Sequence, residues 1–221
     1  MKALLPRHAE SKGIARLGLV VGIVVIGMLA HAPDAHAISF NLESDHCTGG
    51  CGTAPFGTVT VTQVGANVHV VVDLANGPPN TMSWAQTGAA DFQLFKFNAT
   101  GIVVGDISVV QTFAGQTLQA NTGALNGNGT GTFAFGISCT TCGNGALGIT
   151  SNLDFTIANA TIADITAPNA LGNIFVADLF SSQTGNTGPT DVHVPEPASV
   201  LILGLALTGI GVTRRRLRRK E

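Results

Sequence analysis

The residues of this chain with the most specific chemistry are its cysteines and histidines, and the cysteines come in two tight pairs. Cys47 and Cys51 frame CTGGC, and Cys139 and Cys142 frame CTTC. Two chemistries fit such pairs. In an oxidising compartment an even number of close cysteines is most simply a set of disulfides, either two local bridges or two crossed ones. Four thiolates at these spacings could instead hold zinc, with His46 beside Cys47 as a spare ligand, although no metal-holding helix or knuckle surrounds them. A redox role for CTTC lacks the helix start that would lower a thiol pKa. The expectation is disulfides at Cys47, Cys51, Cys139 and Cys142, with no metal and no cofactor.

The other reactive types show no catalytic pattern. Between residues 38 and 193 the histidines are His46, His69 and His193, and none has a recognisable catalytic or ligand companion in the sequence. G-x-S-x-G, H-E-x-x-H, a glycine-rich strand-to-helix turn and an EF-hand loop are all missing, so no catalytic residue is assigned. The acidic residues could supply oxygen ligands to calcium. However, the one suggestive stretch, NGNGTG from Asn126, lacks the aspartates and the period of calcium-binding repeats, and solvated surface carboxylates are the expectation. Trp84 could be a stacking platform for a sugar or part of a core. With tyrosine absent, the chain is poor in the residues that lectins deploy.

The elements that must position these groups read as strands. GTVTVTQV sets Val59 and Val61 against Thr58, Thr60 and Thr62, and NVHVVVDL places Val68, Val70, Val72 and Leu74 on one phase. TFAFGI and LDFTIA repeat the same period of two, the mark of a strand with one dry face. Further strands are expected at ISFNL from Ile38, GIVVGDISVV from Gly101 and NIFVADLF from Asn173. In DFQLFKF from Asp91 the parity breaks, which predicts a bulge or a strand buried on both faces. ANGPPNT at Ala75, NTGALNGNGTGT at Asn121 and TGNTGPT at Thr184 read as turns or exposed loops. Residues 38–193 are thus expected to form one mostly β domain, an antiparallel β-sandwich or jelly-roll-like fold.

Charge divides the chain into three. Residues 38–193 hold one cation, Lys96, against nine acidic residues. Polyanions are bound chiefly by Lys and Arg, so nucleic acid is excluded as a partner. Residues 1–37 read as a signal peptide: a basic start, the apolar run Leu17–Leu29, and small residues at Ala35 and Ala37 that predict cleavage after Ala37. Near the other end, Ala198–Thr213 is an uncharged run of 16 residues, slightly short for a durable membrane span, and reads as a short membrane helix. Arg214, Arg215, Arg216, Arg218 and Arg219 follow it, with Lys220. Basic residues after an apolar run act as a stop-transfer signal and place that side in the cytoplasm.

The order Val194-Pro195-Glu196-Pro197, then an apolar helix, then RRRLRR, resembles the PEP-CTERM sorting signal of Gram-negative bacteria that make extracellular polysaccharide. The resemblance covers residues 194–221. It implies that Pro195, Glu196 and Pro197 are the recognition motif of a membrane-embedded exosortase, acting after Sec export and signal peptidase. An inner-membrane-anchored precursor would then pass to the cell surface or extracellular matrix. The expected role is a structural or adhesive component associated with exopolysaccharide. The alternatives are a carbohydrate- or calcium-binding module, or a glycan-acting hydrolase using a carboxylate such as Asp73 or Asp154.

Overall fold

Residues 36–87 and 91–193 are described by a computed structural model of the protein. In chain order the strands are β1 (Ala37–Leu42), β2 (Ser44–Asp45), β3 (Gly57–Val64), β4 (Asn67–Leu74), β5 (Asn76–Gly77), β6 (Asn80–Gln86) and β7 (Phe95–Phe97). They continue as β8 (Ile107–Val109), β9 (Leu118–Asn126), β10 (Thr132–Cys139), β11 (Gly145–Ala146), β12 (Leu153–Ile157), β13 (Asn173–Ser181) and β14 (Thr187–His193). One helical turn, α1 (Ile162–Ile165), precedes β13. The expectation of a mostly β, antiparallel domain therefore holds.

The strands form two sheets, and every pairing is antiparallel. The first has the order β1-β3-β4-β12-β8. Its alternation is the one the valine and phenylalanine periods predict: Val59, Val61, Val68, Val70, Val72, Leu153, Phe155 and Ile157 are buried, while the threonines between them face outward. The second sheet runs β11-β6-β13-β7-β10-β9, with β14 on the free edge of β13, β2 on β14 and β5 on β6. Aromatic rings lock the layers together. Phe40 of β1 meets Phe175 of β13 edge-on at 5.6 Å, and Phe155 of β12 lies 5.3 Å from Phe97 and 6.0 Å from Phe95. Such pairs contribute about 0.5–1.5 kcal/mol each beyond the area they bury.

Three segments depart from the sequence reading, and a fourth decides between its two alternatives. GIVVGDISVV is mostly not a strand. The Asp106 carboxylate accepts the Val103 N–H at 3.0 Å and curls Val104–Asp106 into a 3-10 turn, leaving only Ile107–Val109 in the ladder. In DFQLFKF the double-face alternative is the correct one. Phe92 sits in the left-handed region at φ 51 and ends its phase, while Phe95, Lys96 and Phe97 are all buried because β7 lies between β13 and β10 with both faces covered. Asn121–Asn126, expected as loop, is two-thirds of β9, since its backbone pairs with β10 as far as Asn126↔Thr132. TGNTGPT likewise enters β14. Pro189 has no N–H to donate, but its carbonyl accepts the His46 N–H at 3.0 Å.

Candidate functional site

Both cysteine pairs are closed locally, Cys47 to Cys51 and Cys139 to Cys142. This overturns the four-thiolate zinc alternative, because no described cysteine is free. The first loop is organised by Asp45, whose carboxylate accepts the N–H of Cys47 at 2.9 Å and of Cys51 at 2.7 Å. The second bridge is held by the buried Gln86 amide, which donates to the Cys139 carbonyl at 3.1 Å and accepts its N–H at 2.8 Å. Asp45 lies close enough to both sulfurs of its loop to suggest a metal group, but bridged sulfurs are not thiolate ligands.

His46, His69 and His193 each have a partner that the linear sequence conceals. His69 Nε2 lies 2.8 Å from Asp154 Oδ1, across neighbouring strands β4 and β12. His46 Nε2 lies 3.1 Å from Asp191 Oδ2, with Asp191 only 1% exposed. His193 Nδ1 lies 2.9 Å from Asn173 Oδ1. Trp84 is also settled. Its side chain is 0% exposed, its ring packs on Phe113, and its Nε1–H donates to the Ser151 carbonyl at 2.8 Å. A ring so enclosed cannot stack on a sugar, so the platform reading is withdrawn.

The outer face of the second sheet is covered by chain on either side of residue 90. Asp178 of β13 accepts the Thr87 N–H at 2.6 Å and the Thr87 hydroxyl at 2.8 Å. Lys96 of β7 is 1% exposed, with Nζ 3.4 Å from Asp91 Oδ1, close enough for an ion pair although no aligned hydrogen bond reaches either Asp91 oxygen. Gln93 lies over Gly136, where an added Cβ would come within 2.8 Å of its Oε1, and it accepts from Asn121 Nδ2 at 3.0 Å. These groups hold a cover onto a sheet.

The outer face of the first sheet is open. Its register sets Asn41, Thr58 and Asp73 in one row, Ser39, Thr60, Val71 and Asp154 in the next, and Thr62, His69, Thr156 and Ser108 in a third. Strands are spaced about 4.8 Å apart and outward residues roughly 6.6 Å along each strand, so these rows form a regular outward grid rich in hydroxyl, amide and carboxylate groups. A shallow hollow of about 260 Å³ opens at its corner between Pro55, Thr58, Asp73 and Asn76. Sequence reasoning placed the outward threonines correctly but did not join strands into rows, because register is a tertiary property.

The candidate processing residues lie at the margins of this body. Ala37 opens β1, paired with Thr62, while Ala35 lies outside the described residues. So do Pro195, Glu196, Pro197, Arg214, Arg215, Arg216, Arg218 and Arg219, and the expected apolar segments at 17–29 and 198–213. Among the described residues no helix is long and apolar enough to cross a membrane. β14 stays in the ladder to its last residue, His193↔Asn173. From that same residue, 193–219 match the family model for the PEP-CTERM protein-sorting motif. The chain carries a PEP-CTERM sorting motif. Such a motif supports export through exosortase-type sorting, and in this protein the match begins at the residue where the last strand ends. No curated protein and no solved structure matches the chain.

Proposed function

We propose that this is an exported protein, processed at its PEP-CTERM motif by an exosortase after Sec export and signal-peptide removal, whose β domain serves at the cell surface or in the extracellular matrix as a structural or adhesive component associated with exopolysaccharide. The observation that carries the reading is the direct junction of sorting motif and folded domain at His193. The use of the polar groups supports a non-enzymatic role: Asp178, Lys96, Asp91, Asp45 and His46 are engaged in holding loops onto sheets. The hydroxyl grid of the first sheet is the surface that suits a polysaccharide. Its donors and acceptors lie in ordered rows on an outward sheet face, and sugar hydroxyls pair with such groups at modest strength per contact.

The test is cosedimentation of the purified protein with polysaccharide from its own host. Replacing Thr58, Thr60 and Thr62 together by valine removes three hydroxyls without disturbing strand propensity or the buried face. Retention is expected to fall by roughly ten-fold, on the order of 0.5 kcal/mol per lost hydrogen bond. Unchanged retention would reject the grid as the binding face. The second reading, a glycan-acting hydrolase, has one observation in its favour: the half-exposed His69–Asp154 pair lies in this grid. Turnover of the polysaccharide that disappears in Asp154→Asn would establish that reading instead.

A further inference from the structure

We propose that the end of the β domain from which β14 exits faces the bilayer, and that its loops insert apolar side chains among the lipid headgroups while the precursor is anchored. The proposal rests on the reading above that residues 198–213 hold the precursor in the membrane.

The loops of that end are defined by the ladders. Thr62 pairs with Ala37, so the turn after β3, with Val64, lies where β1 begins. Asn173 pairs with His193, so Leu171 lies where β14 ends. An added Cβ on the neighbouring Gly172 would come within 2.7 Å of the His193 ring. The Asp106 carbonyl accepts the Ala158 N–H at 2.9 Å, which joins the 3-10 turn bearing Val103 and Val104 to the chain leaving β12. Gln63 ties the group together. Its Nε2 donates to Ala160 O at 3.0 Å, and its Oε1 accepts the Ile162 N–H at 3.1 Å.

Six large apolar side chains are exposed among the described residues, and four of them stand on these loops: Val64 at 55%, Val103 at 64%, Val104 at 36% and Leu171 at 56%. Singly exposed apolar residues need no explanation, but this concentration around the exit of the chain does. Distance supplies the occupant. Only residues 194–197 separate His193 from the apolar run at Ala198, a reach of roughly 17 Å even fully extended. About 5–8 Å of that is headgroup region. The domain is therefore tethered with this end against the lipid, where a short tether makes weak contacts effective. Charge cannot supply the attraction, because Lys96 is the sole Lys or Arg of the described residues and is buried. The contact is apolar insertion, indifferent to anionic lipid.

The experiment uses the full chain in phosphatidylcholine vesicles, with Leu171→Trp and Val104→Trp as probes and Val110→Trp as the control. Val110 is 50% exposed, beyond the opposite end of β8. Trp84 gives the same buried background in all three. Brominated phosphatidylcholine is expected to quench the two probes roughly two-fold more than the control. Equal quenching in vesicle-bound protein would overturn this inference and leave the anchored precursor intact. Protein that fails to sediment with the vesicles would overturn both. A blue shift at the probes without bromine quenching would place a second copy of the chain on the patch and reject lipid.

Discussion

Trp84 and Lys96 are single residues whose buried settings make opposite demands on a substitution. Trp84→Ala empties a sealed site beside Phe113 and orphans the Ser151 carbonyl, and is expected to lower unfolding free energy by about 3–5 kcal/mol in urea titrations. An unchanged midpoint would restore the exposed-platform reading. For Lys96 the charge is what matters. Lys96→Met leaves Asp91 uncompensated under the cover of the second sheet and is expected to cost about 3–5 kcal/mol, whereas adding Asp91→Leu should return most of the loss. A double variant no more stable than Lys96→Met would show that the pair is not coupled. Composition marked Lys96 as the only cation between residues 38 and 193 but gave no sign that it is buried, because its partner comes from a segment with no regular period. The same limit hid the partners of the three histidines, while the local cysteine pairs were already visible in their spacing.

At the scale of elements, the short helix α1 begins at a carboxylate cap formed by its own Asp164. Asp164 Oδ2 accepts both the Thr161 N–H at 2.8 Å and the Thr161 hydroxyl at 2.7 Å. The hydroxyl first, and then the backbone N–H, hold its carboxyl below the ordinary 3.8. A carboxyl depressed in the folded state stabilises α1 fully above its unfolded pKa, and that contribution is lost as pH falls through the folded value. The Asp164 carboxyl resonance should therefore titrate below the ordinary 3.8 by NMR, and Thr161→Val should move it back upward. An Asp164 midpoint at or above 3.8 would contradict this account. Strands with one dry and one wet face, β3, β4 and β12, could be read from period alone. β9 and β14 could not, because their Gly, Asn, Thr and Pro composition matches that of turns, and only a neighbouring ladder makes them strands. Gly188 shows how tight that ladder is. An added Cβ there would come within 2.6 Å of the Cys47 backbone, so Gly188→Ala must displace either β14 or the CTGGC loop.

For the whole molecule, the two expected processing sites abut the first and last strands, and this constrains both proposed cuts. Cleavage after Ala37 would fall inside β1, whose pairing begins at Ala37↔Thr62 and is extended by the Gln63 N–H to the His36 carbonyl at 2.8 Å. A protease needs an extended, unpaired segment, so signal-peptide removal must precede docking of β1 on β3. At the other boundary β14 runs to His193 with β13 on one edge and β2 on the other. A cut any earlier would strip a strand from the second sheet and expose Phe175, Ala177 and Leu179, which are buried. The stable product must therefore retain His193 and end at or after it. Intact mass and cell fraction of the protein made in its own host check this directly. A species from Ile38 to a terminus beyond His193, outside the membrane and gaining two hydrogens per bridge on reduction, is expected. A product ending before His193 would break the link between strand and motif, and a membrane species still bearing Arg214–Arg219 would replace sorting with permanent anchorage.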